Sequence, residues 1–424
     1  MLFPALVALL AAQPIVFNDD GGWCWFEDER AVISGGRLVI GSVAAGTRDP
    51  ARKGAIEATV YNLATGKTSR FTLHGGGPYW LDDHNSPAFV ARPDGRLVAM
   101  YAQHGRENTM YYRISAAGNP AEWGAERTFA PSAKSRVTYT NLHWLPAEKR
   151  IYDFFRGFDN SFKPSYAWSD DLGETWKPGG VFLDVPTQFR HRPYVKYAGN
   201  GKDAVHIAYT DGHPRNIDNS IYHIYYRAGK LYRSDGALIR TLAEGLKSPG
   251  EGTRVFQGDP NNVAWISDIH LDAKERPFLV YSVQKDSAGL DAGQGGHDFR
   301  YRYARWNGKR WEDHEIAHGG SKLYAGEDDY TGNLCLDPRD PNTVFISTNA
   351  DPESGKPMPH WEIYRGTTRD GAKFAWKPVT ANSQADNIRP IVPISKDKRR
   401  VLLWLRGKMR TYTNYDFAVV GLIE

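Results

Sequence analysis

Ser169-Asp170-Asp171-Leu172-Gly173-Glu174-Thr175-Trp176 is the run from which the fold of this chain is read. It follows the strand-like Tyr166-Ala167-Trp168 and meets the pattern Ser-x-Asp-x-Gly-x-Thr-Trp at every fixed position. In such a turn the Asp carboxylate caps the backbone, Gly supplies positive φ, and Trp folds back against the strands. Arg369-Asp370-Gly371 with Trp376 is a weaker copy. Both mark a scaffold turn between the outer strands of a blade, and no catalytic role is read into either.

Around this turn, helical periodicity is almost absent, and short alternating strands are separated by Gly, Asp and Pro turns. A degenerate repeat underlies them: an aromatic-rich strand, a polar turn, then often a Trp. It occurs at Tyr61-Asn62, at Tyr111-Tyr112-Arg113 with Trp123, at Tyr166-Ala167-Trp168 with Trp176, and at Tyr225-Tyr226-Arg227. It returns at Tyr301-Arg302-Tyr303 with Trp311, at Tyr364-Arg365 with Trp376, and at Tyr412 to Tyr415. Seven copies spaced about 50 to 75 residues apart match the size of a four-stranded propeller blade. The fold class is therefore all-β, a seven-bladed β-propeller over residues 18–424, with the N-terminal strand closing the ring and no linker dividing it.

At 424 residues, 41% hydrophobic and 13% aromatic, the chain has enough apolar material for a core of that size. A net charge of +4 and a pI near 8.8 suit an acidic substrate, without the dense Lys/Arg tracts of a nucleic-acid binder. Cys24 and Cys335 are too few for a disulfide framework, and leave open one bridge or one metal-bound thiolate. Met1 to Ala12 is apolar and ends in small residues before Gln13-Pro14. Residues 1–17 thus read as a signal peptide, although a basic n-region is missing, and imply a secreted or periplasmic protein; a buried first strand is the alternative. No other apolar run is long enough to span a bilayer, so no membrane partner is expected.

The chemistry is sought first around Asp82-Asp83-His84-Asn85 and Gln103-His104. Pro93-Asp94-Gly95 between two apolar runs predicts an antiparallel hairpin. With the turn centred on Asp94, cross-strand partners have numbers that sum to about 188, which sets His84 opposite His104, Cβ atoms roughly 5 Å apart. Two imidazoles beside two carboxylates titrate near neutral pH. A second hairpin, turned at Pro146 to Arg150, brings Asn141 and Arg156 to one open end, with Tyr139 and His143 nearby. Two further stretches carry Arg190-His191-Arg192-Pro193-Tyr194 and Thr210-Asp211-Gly212-His213-Pro214. His, Tyr, Arg and Asn thus recur at equivalent strand ends of consecutive blades, where a propeller gathers its ligand contacts.

Gly22-Trp23-Cys24-Trp25-Phe26-Glu27-Asp28-Glu29-Arg30-Ala31-Val32, Asp83-His84-Asn85-Ser86-Pro87-Ala88, Tyr152-Asp153-Phe154-Phe155-Arg156-Gly157 and Arg192-Pro193-Tyr194-Val195-Lys196-Tyr197 resemble segments of the Asp-box propeller family of uronate-cleaving polysaccharide lyases. That family includes ulvan lyases and lyases acting on rhamnosyl-glucuronate caps, and the likeness runs nearly end to end. The resemblance implies His84, His104, a Tyr (Tyr139 or Tyr194) and a carboxylate-binding Arg (Arg192 or Arg156) as the catalytic set. It implies Asn85, Asn141, His143, Arg156, His191 and His213 as substrate contacts. No cofactor is required for catalysis. A structural zinc or calcium ion is known in the family, for which Cys335 and His270 are the candidates here. The implied partner is an acidic polysaccharide or oligosaccharide bound by a monomer.

The implied reaction suits these residues. Breaking the bond at O4 of a uronate by β-elimination needs a base for the C5 proton, an acid for the departing oxygen and a cation on the carboxylate. Two other classes compete: a hydrolase on the same propeller and a non-catalytic glycan-binding module. A glycosidase would place two carboxylates across the sugar, with Asp82, Asp83, Glu327, Asp328 and Asp329 as the available acids.

Overall fold

In the computed structural model, residues 13–77, 79–158, 161–184, 193–287, 290–291, 293–395 and 398–424 are described. Their strands form seven antiparallel sheets. The first blade is Ala31–Ser34, Arg37–Val43, Ile56–Asn62 and Thr68–His74. The second is Ala88–Ala91, Leu97–Ala102 and Met110–Ala116, edged by Asn119–Trp123 and Arg127–Phe129. The third is Thr138–Leu145, Arg150–Phe158, Ser161–Ser169 and Lys177–Val181. Val195–Gly199, Ala204–Thr210 and Ile221–Arg227 begin the fourth, which is widened by three short outer strands. The fifth is Val263–Leu271, Pro277–Gln284, Phe299–Trp306 and Trp311–Gly320, and the sixth Leu334–Leu336, Thr343–Ala350, Pro357–Thr368 and Phe374–Pro378.

The seventh blade closes the ring. Asp386–Ile391, Val401–Thr411 and Asn414–Ile423 take their fourth strand from the other end of the chain, Ile15–Asn18, with Ile15 opposite Gly421. The propeller therefore begins at Ile15 and not at residue 18, and residues 15–17 fall inside the segment read as a signal peptide. A propeller has no other way to remove the gap between its first and last blades, so pairing the two chain ends satisfies the backbone there. All seven copies of the aromatic repeat fall on the third strand of a blade or, for Tyr412, on the turn leading into it. The buried apolar clusters lie between blades. Val98, Met100 and Tyr112 of the second pack on Leu142, Ile151 and Phe155 of the third.

The Asp-box turn is built as its sequence predicts. Asp171 accepts from the Ser169 hydroxyl at 2.7 Å and from Thr175 N at 2.9 Å, and Gly173 has φ +87. Trp176 is buried and meets Tyr112 of the preceding blade edge-on, ring centroids 6.3 Å apart. The turn therefore joins two blades as well as two strands.

Between the closing strand and the first blade, residues 22–30 run through the middle of the ring. Trp23, Cys24, Trp25, Phe26, Glu27 and Arg30 are all buried. Phe26 touches rings from the second, third and fifth blades and from the start of the fourth, namely His84, Tyr139, Trp265 and Tyr194. Phe26 and Glu27 of this segment form one side of a cleft also lined by Tyr139, Asn141, Arg156 and Tyr194. Cys24 and Cys335 are separate free thiols, so no disulfide joins them. Among the described residues no helix is long and apolar enough to cross a membrane.

Candidate acid–base site

The first hairpin has the predicted register: Ala88 pairs with Met100, Phe89 with Ala99, Val90 with Val98 and Ala91 with Leu97. His84 and His104 lie beyond its paired strands. His84 sits in the short 3-10 turn Asp83–Asn85, which Asp82 caps by accepting His84 N at 3.1 Å. His104 is tied down from its backbone, whose N–H donates to Asn85 Oδ1 at 2.7 Å. The two imidazoles stack with centroids 4.0 Å apart and planes 11° from parallel.

One carboxylate bridges both rings. Asp82 Oδ1 lies 2.6 Å from His84 Nδ1, and Asp82 Oδ2 lies 3.0 Å from His104 Nδ1. Asp83 Oδ1 adds a second contact to His84 Nδ1 at 2.8 Å. Burial opposes a charge on His84; Cys24, where its thiol is ionised, and the Asp82 and Asp83 carboxylates outweigh it and hold its pKa well above the ordinary histidine value. His104 moves the other way: burial and the neighbouring His84 charge pull it down to about 4, against Asp82. The same two forces compete at Asp82, where burial raises the pKa and the two histidines more than reverse it.

With its Nδ1 proton on Asp82, a neutral His104 turns an unprotonated Nε2 toward the Tyr139 hydroxyl, 3.1 Å away. Tyr139 is placed there by a bulge in the innermost strand of the third blade, between the pairs Thr138–Arg156 and Asn141–Phe154, and has φ +59. A non-glycine residue in the left-handed region costs roughly 1–3 kcal/mol, and a bulge is a common means of re-aiming a side chain at a site. Burial drives the Tyr139 phenol well above its usual pKa, with Arg156 pulling less strongly the other way, so it rests as a proton donor.

Arg156 lies over Tyr139 and Tyr194, 4.6 and 5.3 Å from the ring centroids. It is buried, and its Nε and Nη1 have no hydrogen-bond partner. Among the described residues no carboxylate pairs with it. Other nearby cations are committed: Arg389 to Asp83 at 2.6 Å, Arg30 to Glu27 at 2.8 Å, and Arg215 to Glu327.

Five of the residues singled out from the sequence thus meet in one place: His84, His104, Tyr139, Arg156 and Tyr194. His191 and Arg192 lie outside the described residues. Asn85 and Asn141 are tied into the framework, and Asn141 also lines the pocket beside Tyr139, Arg156 and Tyr194. The Asn85 amide donates to Trp80 O and accepts His104 N, and the Asn141 amide donates to Phe154 O and accepts Asp28 N. His143 likewise faces the axial segment, with Nε2 3.0 Å from Asp28 Oδ2. His213 is buried between Tyr194 and Trp265, and its Nδ1 accepts Arg215 N at 3.1 Å. His270 is brought to Glu29 and Asp268, at 3.5 Å from each, and these three offer ligand atoms within 4.8 Å of one another. Cys335 stands outside that trio; burial, then the Asp268 and Glu29 charges, push its thiol pKa up.

Two further contributors carry no local sequence signal. Arg389, on the innermost strand of the seventh blade with φ +55, is fully buried against Asp83 and the Trp23 carbonyl. Tyr412 stands edge-on to both imidazoles, at 5.1 and 5.9 Å. An Arg-Pro pair in an innermost strand occurs at Arg389-Pro390, and the position of that strand in the ring is what would have pointed to it.

Fold and site together define a seven-bladed propeller with a His–Tyr–Arg acid–base cluster. The chain belongs to the family described as BNR repeat-containing family member, matched over residues 41–319. No curated protein matches it. Among solved structures it is similar to a PL25 ulvan lyase bound to -[GlcA(1-4)Rha3S]-, at 15% identity and a TM-score of 0.68, over 96% of this chain and 95% of that one. It is also similar to the polysaccharide lyase Uly1, at 13% identity and a TM-score of 0.59, over 94% and 89%. An α-L-arabinofuranosidase of Fusarium graminearum matches at 12% identity and a TM-score of 0.44, over 79% and 92%. At these identities the likeness is one of fold.

Proposed function

We propose that this protein is a polysaccharide lyase that cleaves at O4 of a uronic acid by β-elimination. The observation that carries the reading is the run of three groups at the cleft: the His104 Nε2, the Tyr139 hydroxyl 3.1 Å from it, and an Arg156 guanidinium that meets no carboxylate among the described residues. Arg156 is the group to receive the uronate carboxylate, where it stabilises the negative charge that spreads onto that carboxylate as C5 loses its proton. His104 Nε2 takes the C5 proton, the electron pair forms the C4–C5 double bond, the C4–O4 bond breaks, and the Tyr139 proton goes to O4. The imidazolium and tyrosinate left behind are already hydrogen-bonded, so one proton transfer between them restores the resting state. No water enters the products.

Four of the five carboxylates open to a hydrolase are committed, which argues against one: Asp82 and Asp83 are bound to the histidines, Glu327 to Arg215 and Asp328 to Lys322. The fifth, Asp329, is pushed up to about 7 by burial and lies 3.9 Å from His213 Nδ1, with no second free carboxylate among the five to stand opposite it. The substrate class is an acidic glycan such as ulvan or a rhamnosyl-glucuronate cap, met by an exported protein. A structural divalent ion, if bound, is expected at Glu29, Asp268 and His270, whose one nitrogen and two oxygens suit zinc rather than calcium, which takes oxygen ligands. The test is incubation with both glycans in ¹⁸O-water. A 4,5-unsaturated uronate without label supports the lyase; labelled, saturated sugars mean a hydrolase and overturn it.

A further inference from the structure

The lyase reading needs a base at His104, and the groups around the stacked pair say how that base is kept free of its proton. The charged and titratable side chains facing His84 come from every surrounding element. They are Asp82 and Asp83 on its own turn, Cys24 and Glu27 from the axial segment, and His104 and Tyr139 from the second and third blades. Tyr324 and Tyr330 face it from the loop before the sixth blade, and Arg389 and Tyr412 from the seventh. Glu27 is neutralised by Arg30, through Oε1 at 2.8 Å and Oε2 at 3.2 Å. Burial keeps the Cys24 thiol and the tyrosine hydroxyls protonated.

What remains is two carboxylates, Asp82 and Asp83, both nearly closed to water. Asp83 is answered by the Arg389 guanidinium, while Asp82 meets no guanidinium among the described residues and has only the two imidazoles against it. A buried carboxylate needs a cationic partner, so a positive charge belongs to one of those rings. The geometry assigns it. His84 Nδ1 meets oxygens of both carboxylates, whereas His104 meets one and presents its other nitrogen to a hydroxyl donor. Two charged rings stacked at 4.0 Å would repel, and Arg156 beyond Tyr139 adds to that repulsion at His104.

We infer that Asp83, pinned by Arg389, is a positioning residue that keeps His84 a standing imidazolium, so that His84 acts as a fixed cation beneath a neutral His104 and does not itself exchange protons during turnover. The inference rests on the lyase reading only for its kinetic arm. The consequence is specific: His84 and His104 are both needed, but for different reasons, and the carboxylate that touches only His84 sets the protonation of the ring it does not touch.

The test is ¹⁵N NMR of the full chain with labelled histidine, followed from pH 5 to 8.5, beside kcat/KM over the same range. In the wild type both His84 nitrogens should stay protonated throughout, while His104 stays a neutral Nδ1–H tautomer. In Asp83→Asn, His84 should lose its proton within that range and His104 should gain one at the acidic end. The acidic limb of kcat/KM should then move up by at least one pH unit, a tenfold loss on that limb. Asp83→Glu, which keeps the charge, should restore both profiles toward wild type. A neutral His84 in the wild type at pH 7 overturns the inference, and that spectrum needs no variant to fold. Unchanged titration and rate profiles in Asp83→Asn overturn it equally. The spectra need no substrate, so correct spectra from a protein that makes no unsaturated uronate would retire the lyase reading and leave the proton assignment standing.

Discussion

Among the described residues two histidine pairs stack, and they differ in one ingredient. His84 and His104 share Asp82, and Asp83 adds a second carboxylate. His206 and His223, on adjacent strands of the fourth blade, lie 5.2 Å apart at 28°, with His206 Nδ1 3.1 Å from His223 Nε2. Neither ring of that second pair is within ion-pair distance of a carboxylate among the described residues; His223 instead meets Ser234, which also accepts from Trp311. Burial takes His206 down to about 3 and His223 well below the ordinary value. Two imidazoles in contact are therefore no acid–base device in themselves. The carboxylates decide whether the pair holds a proton, and the cleft decides whether anything can use it.

The largest expected effect separates the pairs by activity. His104→Ala and Tyr139→Phe should each lower kcat by about 10³-fold, the scale of losing a positioned acid or base, with little change in Tm. His206→Gln should leave kcat within a factor of about two, since the second pair lies outside the cleft. Assays of unsaturated-uronate formation beside thermal unfolding check both. Near-wild-type turnover in Tyr139→Phe would remove the phenol from the mechanism and break the contrast.

Arg156 sharpens the same contrast from the substrate side. Arg156→Met should cost about 10²-fold in kcat/KM on a uronate, while Tm holds or rises, because a buried cation without a carboxylate destabilises the free protein. A uronate oligosaccharide that cannot eliminate separates this contact from the acidity of C5: reducing its carboxylate to an alcohol should weaken binding to the wild type and change binding to the variant hardly at all. Additive losses from the two changes would mean that another group reads the carboxylate.

The scaffold was legible where the chain repeats itself. The Asp-box turn, one aromatic copy per blade, the register of the first hairpin and the closing strand are all local patterns, set by turn chemistry and alternation. The site was legible only where two members share a hairpin, as His84 and His104 do. Asp82 and Asp83 were visible as neighbours, but their division of labour was not, because it depends on Arg389 arriving from 306 residues away. The backbone contacts of Asn85 and Asn141 were hidden for a related reason: a polar residue at a strand end looks the same whether or not it also meets a buried backbone group. Tyr139 and Arg389 owe their aim to left-handed residues within innermost strands, and neither Tyr nor Arg is a residue type that signals such a conformation.

Asp171→Ala tests the scaffold apart from both pairs. It removes the acceptor for Ser169, Thr175 N and the Thr175 hydroxyl, and loosens the loop that holds Trp176 on Tyr112. A loss of about 2 kcal/mol in unfolding free energy is expected, with kcat unchanged. A fall in kcat at temperatures where the variant is fully folded would give the Asp box a part in the site that its distance from the cleft does not suggest.

The smallest effect is the most discriminating, because the two pairs should tilt stability in opposite directions with pH. His84 has a folded pKa above its unfolded value near 6.5, so its contribution is fully present below that pH and is lost as pH rises through the folded pKa. His206 and His223 have folded values below 6.5, so the stability they represent is present above it and is lost as pH falls, because only the unfolded rings take up protons there. His104, at about 4, adds to the acidic loss. For each ring whose folded pKa lies far below 6.5, the loss at pH 6 is about 1 kcal/mol. Denaturant unfolding at pH 6, 7.5 and 9 should therefore show a maximum between two declining limbs. His206→Gln should flatten the acidic limb and leave the alkaline one. Asp83→Asn should make the alkaline limb shallower, because the charge that makes His84 a favourable imidazolium is gone, leaving the part that His270, raised to about 9 by Asp268 and Glu29 against burial, supplies. If both variants moved the same limb, the two pairs would be the same kind of structure, and the carboxylates would not be what distinguishes them.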